Sequence, residues 1–186
     1  RTADSTLLLY PNAREPRKYR IPDGITAISA YAFYDCDLLE SVVVPDSVTQ
    51  LPARAFYGCS ALASLSLPDS LTEIGTAAFS GCSALTGIRI PAAITEIINH
   101  TFSGCTSLAT LEIPDSVTKI DDYAFFGCTL LTSIAIPDSV TAIGNGAFSN
   151  CTALTLTVTP DSYATEYAKA NNIPCTYPDA NDWLYN

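Results

Sequence analysis

The chain has no methionine, one histidine and one tryptophan, and only 15% of its residues are charged. The solitary histidine, His100, has no nucleophile or second base in a fixed relation to it, so it is expected to sit on the surface without a catalytic role. There is no G-x-S-x-G, no H-E-x-x-H, no phosphate-binding loop and no pair of carboxylates placed for a pocket. An enzyme is therefore not expected, nor is any cofactor. Long apolar runs are missing too: stretches such as Leu7-Leu8-Leu9-Tyr10 are far too short to cross a bilayer. The covered segment is not expected to insert into a membrane.

Basic residues are scarce, with nine Lys and Arg against 19 Asp and Glu, a formal net charge of -10. Residues 1–20 hold Arg1, Arg14, Arg17, Lys18 and Arg20 against Asp4 and Glu15, so the remainder carries -13. A body this acidic repels phosphate backbones, which makes nucleic acid and anionic membrane poor partners. The chain opens on Arg1 without a methionine, and a start and a targeting signal are expected upstream in the gene product.

What is present is a repeat. Pro22, Pro45, Pro68, Pro91, Pro114, Pro137 and Pro160 are each 23 residues apart, as are Phe33, Phe56, Phe79, Phe102, Phe125 and Phe148. Cys36, Cys59, Cys82, Cys105, Cys128 and Cys151 keep the same interval. A fixed period of this length marks a solenoid. Six units follow, 22–44, 45–67, 68–90, 91–113, 114–136 and 137–159, between an N-terminal cap at 1–21 and a C-terminal cap at 160–186.

Within a unit, Leu108-x-x-Leu111-x-Ile113 ends with period two and reads as a strand with one side buried, stopped by Pro114. Asp115 to Ile120 reads as a turn into a second extended piece with Val117 and Ile120 inward, and Tyr123 to Cys128 as a short helical or 3₁₀ turn closed by Gly127. Leu7-x-Leu9 with Tyr10-Pro11 is expected to form a strand and turn that covers the first layer. In the sixth unit the pattern shifts by one residue, putting Leu156 and Val158 inward. The C-terminal cap is expected to hold a helix over 163–170 capped by Ser162, with Tyr163 and Tyr167 on one face, then a last strand through Ile173, Cys175 and Tyr177. Trp183 either packs on that end or lies in the tail.

The cysteine file invites a disulfide or a metal, but parallel side chains in a ladder do not point at one another, and C-x-x-C is absent. A column of small buried thiols is expected. Aspartate follows the proline at Asp23, Asp46, Asp69, Asp115, Asp138 and Asp161, with Ala92 interrupting. In Pro-Asp-Ser turns these carboxylates are expected to accept backbone N–H groups, and no calcium is required. Asn99-x-Thr101 and Asn150-x-Thr152 match the glycosylation sequon and are discounted.

The unit IPDSVTxIGxxAFxGCxxLxxIxI resembles the bacterial surface-protein class of leucine-rich repeats known as BspA-like, over residues 19–159 and, less tightly, in TLLLYPN and SYATEYAKANNIPCTY. The resemblance implies a right-handed α/β leucine-rich-repeat solenoid with short parallel strands. It further implies a place on the surface of a bacterium, or secretion from one, and engagement of host or neighbouring-cell molecules. A monomeric binding or adhesion module for a protein or glycan ligand is expected, with a structural spacer in a larger exported protein as the alternative. The sheet face supplies the candidate site: the outward columns Ser41, Ser64, Gly87, Thr110, Ser133 and Val43, Ser66, Arg89, Glu112, Ala135, within which Arg89 and Glu112 are expected to pair.

Overall fold

The structure, a computed structural model, describes residues 5–10 and 17–178. The strands are β1 (Thr6–Leu7), β2 (Lys18–Arg20), β3 (Ala27–Ile28), β4 (Ser41–Val43), β5 (Gln50–Leu51), β6 (Ser64–Ser66), β7 (Glu73–Ile74), β8 (Gly87–Arg89), β9 (Glu96–Ile97), β10 (Thr110–Glu112), β11 (Lys119–Ile120), β12 (Ser133–Ala135), β13 (Ala142–Ile143), β14 (Thr155–Thr157) and β15 (Cys175–Thr176); one helix, α1 (Tyr163–Ala170), precedes the last. Every ladder is parallel. The chain is a leucine-rich-repeat solenoid of about seven turns. Three-residue strands, joined at the end by β15, file along one face and the other two-residue strands along another.

The proline explains where each first strand ends. Its carbonyl accepts the N–H three residues on, as in Val117 N to Pro114 O at 2.9 Å and Ile94 N to Pro91 O at 3.0 Å, so the chain turns into the second strand. The serine of Pro-Asp-Ser fastens that corner to the previous turn: Ser116 Oγ donates to Ile94 O at 2.6 Å and Ser139 Oγ to Val117 O at 2.7 Å. These hydroxyls, rather than the aspartates, make the contacts that hold the turn; Asp23 and Asp69 are largely exposed and take arginine partners.

After the second strand the chain does not form a continuous helical turn. It makes consecutive β-turns with N–H groups reaching back three residues, as in Phe126 to Tyr123 at 3.1 Å and Cys128 to Phe125 at 3.2 Å. Two left-handed positions per unit break any helix: Tyr31, Arg54, Ala77, His100, Tyr123 and Gly146 at the first, and Asp35, Gly58, Gly81, Gly104, Gly127 and Asn150 at the second. Glycine dominates the second file because its φ, +71 to +77°, costs it little. The bent chain then ladders upward, with Phe79 N to Thr101 O at 3.0 Å, Phe102 N to Ala124 O at 2.8 Å and Phe125 N to Ala147 O at 2.8 Å.

The core is a stack. Phe33, Phe56, Phe79, Phe102 and Phe125 are fully buried and Phe148 nearly so, with successive ring centroids 4.7 to 5.9 Å apart and planes within 24°. Tyr10 continues the column at its start, 5.2 Å from Phe33, and Tyr167 closes it edge-on, 6.2 Å from Phe148. Tyr10, not Leu9, is thus the residue that covers the first layer: Leu7 and Tyr10 are buried, whereas Leu8 and Leu9 are exposed. β1 is accordingly only two residues long and pairs with β3.

At the other end Thr155 pairs with Ser133, 22 residues away, and Leu156 and Val158 are buried, which is the shifted register read from the sequence. Ser162 caps α1 by accepting from Thr165 N at 3.2 Å. Ala164, Thr165 and Ala168 face the core, whereas Tyr163 points outward, so the two helix tyrosines do not share a buried face. β15 adds the last strand through Cys175 and Thr176, with Tyr177 exposed. Trp183 lies outside the described residues.

Two substitutions separate the column from its fastenings. Phe102→Ala empties a ring site contacted from both sides and is expected to lower unfolding free energy by about 3–5 kcal/mol. Ser116→Ala loses one inter-turn hydrogen bond and is expected to cost about 1 kcal/mol, both measured by urea denaturation.

Candidate functional site: the sheet face

The three-residue strands turn their middle residue inward, buried in β4, β6, β8, β12 and β14 and half-buried in β2 and β10, and their outer two outward, because strand side chains alternate. Register places Ser41 beside Ser64 and Val43 beside Ser66, Gly87 beside Thr110 and Arg89 beside Glu112, and Ser133 and Ala135 beside Thr155 and Thr157. The ten column residues therefore lie in two files on one face. The columns run further than the repeat register suggested: Lys18 and Arg20 extend them at one end, Thr155, Thr157 and Thr176 at the other. The first pair lies before the first proline, and the second was hidden by the 22-residue step.

The face is not continuously laddered. Its strands join in three groups, β2-β4-β6, β8-β10 and β12-β14-β15. Around the central pair lies a shallow depression of about 890 Å³ lined by Ser64, Leu65, Gly87, Arg89, Thr110, Leu111 and Glu112. Gly87 makes the dent: a Cβ there would stand 3.1 Å from Thr110 Oγ1. Leu111 is only half-buried, so the floor is apolar while the rim is charged.

Arg89 does not take Glu112 as its hydrogen-bonded partner. Its guanidinium reaches back to Asp69 in the preceding Pro-Asp-Ser turn, with both side chains more than 70% exposed. Arg20 pairs at 3.3 Å with Asp23, three residues ahead in the Pro22-Asp23-Gly24 turn. Exposed pairs like these contribute about 0–1 kcal/mol, so a ligand carboxylate or carbonyl can compete for the arginine at little cost. Glu112 remains beside Arg89 across the ladder and keeps the rim bipolar.

A second group of side chains lies outside the repeat consensus. The first left-handed file brings the exposed Tyr31, Arg54, His100 and Tyr123 onto one ridge, and the residues just after the buried rings add the exposed Tyr34 and Phe126 and the half-buried Tyr57. Tyr34 stacks on Tyr57 at 5.3 Å, and His100 on Tyr123 at 5.2 Å. Aligning units on their buried phenylalanine would have shown both files, two before it and one after. His100 is thus a ridge residue at φ +58°.

Residues 26–155 match the BspA type leucine rich repeat region in six copies. The chain belongs to this family. No curated protein matches it. Among solved structures it is similar to a leucine rich cell surface protein from Faecalibacterium prausnitzii A2-165, 43% identical with TM-score 0.71, over 78% of this chain and 39% of that one. It also resembles a leucine-rich repeat protein of T. pallidum, 33% identical with TM-score 0.74, covering 82% of this chain and 72% of that one. The pneumococcal vaccine antigen PcpA, at 16% identity and TM-score 0.58 over 96% of this chain and 45% of that one, shares the fold. The chain thus spans about two fifths of the length of the Faecalibacterium protein. Among the described residues no helix is long and apolar enough to cross a membrane.

The other files of this BspA-type chain are structural. Its seven cysteines are free. Cys82, Cys105 and Cys128 each donate to the carbonyl of the phenylalanine 26 residues earlier at 3.2 Å, and Cys59 and Cys151 do so at 2.8 and 3.0 Å. The thiol is small enough for the corner and satisfies a buried carbonyl. Thr101 takes an alanine position with 1% exposure, its hydroxyl bonded to Ile98 O at 2.6 Å, which leaves the Asn99 sequon without an accessible threonine.

Burial pushes the Cys105 thiol up to about 12 and raises Cys82 as well; Cys59 and Cys128 are raised by their thiol neighbours and by burial. Unfolded thiols lose their protons near pH 8.5, so the unfolded state binds fewer protons above that value, and stability complete below about pH 8.5 drains as pH rises toward 12. The slope is at most about 1.4 kcal/mol per pH unit for each thiol. Urea midpoints measured from about pH 8 to about pH 11 are expected to fall, less steeply in Cys105→Ser, and unreduced protein is expected to titrate seven thiols once unfolded and few before.

Proposed function

We propose that this chain is the binding part of an exported bacterial surface protein and takes a protein or glycan ligand on its three-residue-strand face. The observation that carries the reading is the depression at Gly87, where the sole charged pair of the two central columns, Arg89 and Glu112, rims an apolar floor. From β4 to β14 those columns otherwise hold hydroxyls, Val43 and Ala135, a smooth face that lets a broad partner approach the dent, with Lys18 and Arg20 only at the far end. Cell-surface placement is supported by the family and by the Faecalibacterium protein, itself a cell surface protein.

A spacer that holds another domain outward is the second reading, favoured by the small side chains over most of the face. The two readings part on one experiment. Beads carrying the purified chain are allowed to settle on cultured epithelial cells and are compared with beads carrying Arg89→Ala/Thr110→Ala/Glu112→Ala. If the face binds, retention falls roughly tenfold, about 1.4 kcal/mol. Unchanged retention removes the sheet face, and no retention by either protein favours the spacer.

A further inference from the structure

The dent on the sheet face has the shape and the charge of a receptor for one kind of side chain. Gly87 leaves a gap in the first column between Ser64 and Thr110, and the strands part there, since the ladder of β2, β4 and β6 stops short of β8. Under the gap lie Leu65, Ile88 and the half-buried Leu111. With about 3.4 Å per residue along a strand and about 4.8 Å between strands, Glu112 stands roughly 8 Å from Gly87, Cα to Cα, diagonally across the dent. The gap is thus a short trough, apolar along its floor and acidic at one end.

Glu112 is the sole acid in the two columns, and among the described residues it makes no ion pair. Arg89, beside it in the ladder, gives Nη1 to Asp69 instead, so its charge is already matched. An anion at Arg89 has to displace that carboxylate, on a chain that carries 19 acidic residues against nine basic ones. A cation at Glu112 displaces none. The guanidinium also keeps N–H groups beyond the one that Asp69 takes, so a carbonyl can join it without breaking the pair.

We infer that the dent receives a basic side chain of a protein ligand, a lysine or an arginine, with its aliphatic stem over Leu65 and Leu111 in the gap at Gly87 and its cationic head at Glu112. The inference rests on the reading of this face as the binding surface and names the ligand chemistry it takes. Long basic side chains carry three or four methylenes below the charge and bury the stem while the head stays in water. An open dent suits that habit, because the head is never stripped of solvent. A neutral sugar leaves Glu112 unused, an apolar side chain does the same, and a carboxylate is repelled by it. The remaining donors of Arg89, next in the column, are left for a backbone carbonyl of the ligand.

The test titrates the isotope-labelled full chain with acetyl-Gly-Ser-Xaa-Ser-Gly-amide, where Xaa is lysine, arginine, norleucine, acetyllysine or glutamate, and follows the backbone amide shifts of Gly87, Thr110 and Glu112. The lysine or the arginine peptide is expected to bind there about tenfold tighter than norleucine, which keeps the stem without the charge, and than acetyllysine, with glutamate silent. The stronger of the two basic peptides names the head group. Glu112→Gln is expected to lose about tenfold, and Gly87→Ala to lose as much by filling the gap. Gly87 is not at a left-handed position and an added Cβ meets the Thr110 hydroxyl at 3.1 Å, so the fold is kept, checked by an unaltered amide spectrum elsewhere. Glu96→Gln, which removes an acid from the other strand face, is expected to leave binding unchanged and so to exclude general attraction to an acidic chain. Equal binding of norleucine, indifference to Glu112→Gln or to Gly87→Ala, an equal loss in Glu96→Gln, or no binding by either basic peptide overturns the proposal. In that event the bead comparison still judges the face itself: retention lost in the triple variant keeps the sheet face as a binding surface for another chemistry, and unchanged retention removes it.

Discussion

Every turn of this molecule must land one strand spacing above the last, and the phenylalanine column is where that constraint is tightest. Stacked rings at 4.7 to 5.9 Å leave no room for a turn of different rise. The backbone beside each ring hydrogen-bonds upward at the same pitch, so even the irregular ridge behaves as a ladder. The other fixed positions follow from closing a loop of that size: a proline to end the first strand, a serine to tie the corner back, two left-handed residues to bend the ridge, and a thiol where a larger side chain would not fit. Because neighbouring turns supply these partners, an end turn lacks half of them. Tyr10 and Tyr167 supply the missing rings at the two ends.

The features legible in the sequence were those that repeat, because identical residues in register meet identical neighbours. Strand order, the inward faces and the shift that buries Leu156 could all be read this way. Contacts that cross the register could not. Column register pairs Arg89 with Glu112, yet a long side chain can lean toward the preceding corner and meet Asp69, 20 residues back. The Pro-Asp-Ser pattern suggests a backbone role for the aspartate that the adjoining serine fills, since the hydroxyl points at the lower turn while the exposed carboxylate does not. Ridge residues are illegible for the opposite reason: they vary between units, and a consensus discards what varies.

That variation is where function has room. Substituting a column residue disturbs two neighbouring turns, whereas changing Gly87, Arg89 or Arg54 disturbs solvent and a single exposed partner. The chain thus separates a repeated interior, which carries stability, from non-repeating positions on the sheet face and on the ridge, which can change without disturbing it. Few side chains are needed at either place, since the scaffold holds them in position before any ligand arrives.

Size narrows what the sheet face can hold. Its eight strands span roughly 34 Å at about 4.8 Å per step, and three residues per strand give about 10 Å of width. The product, roughly 340 Å², falls well short of the 800 Å² or so that a stable protein–protein interface buries on each partner. A globular partner must therefore spread beyond the strands, and the adjoining surface is the row of Pro-Asp-Ser corners where Arg20, Asp46, Asp69 and Arg89 line a groove of about 510 Å³. A narrow ligand, a glycan chain or an extended peptide lying along the columns, needs no such extension. Arg89 belongs to both surfaces, since it rims the dent at Gly87 and reaches Asp69 in the corner row. If this face binds as proposed, either kind of ligand has to break or bridge the same exposed ion pair, and affinity would turn on that pair.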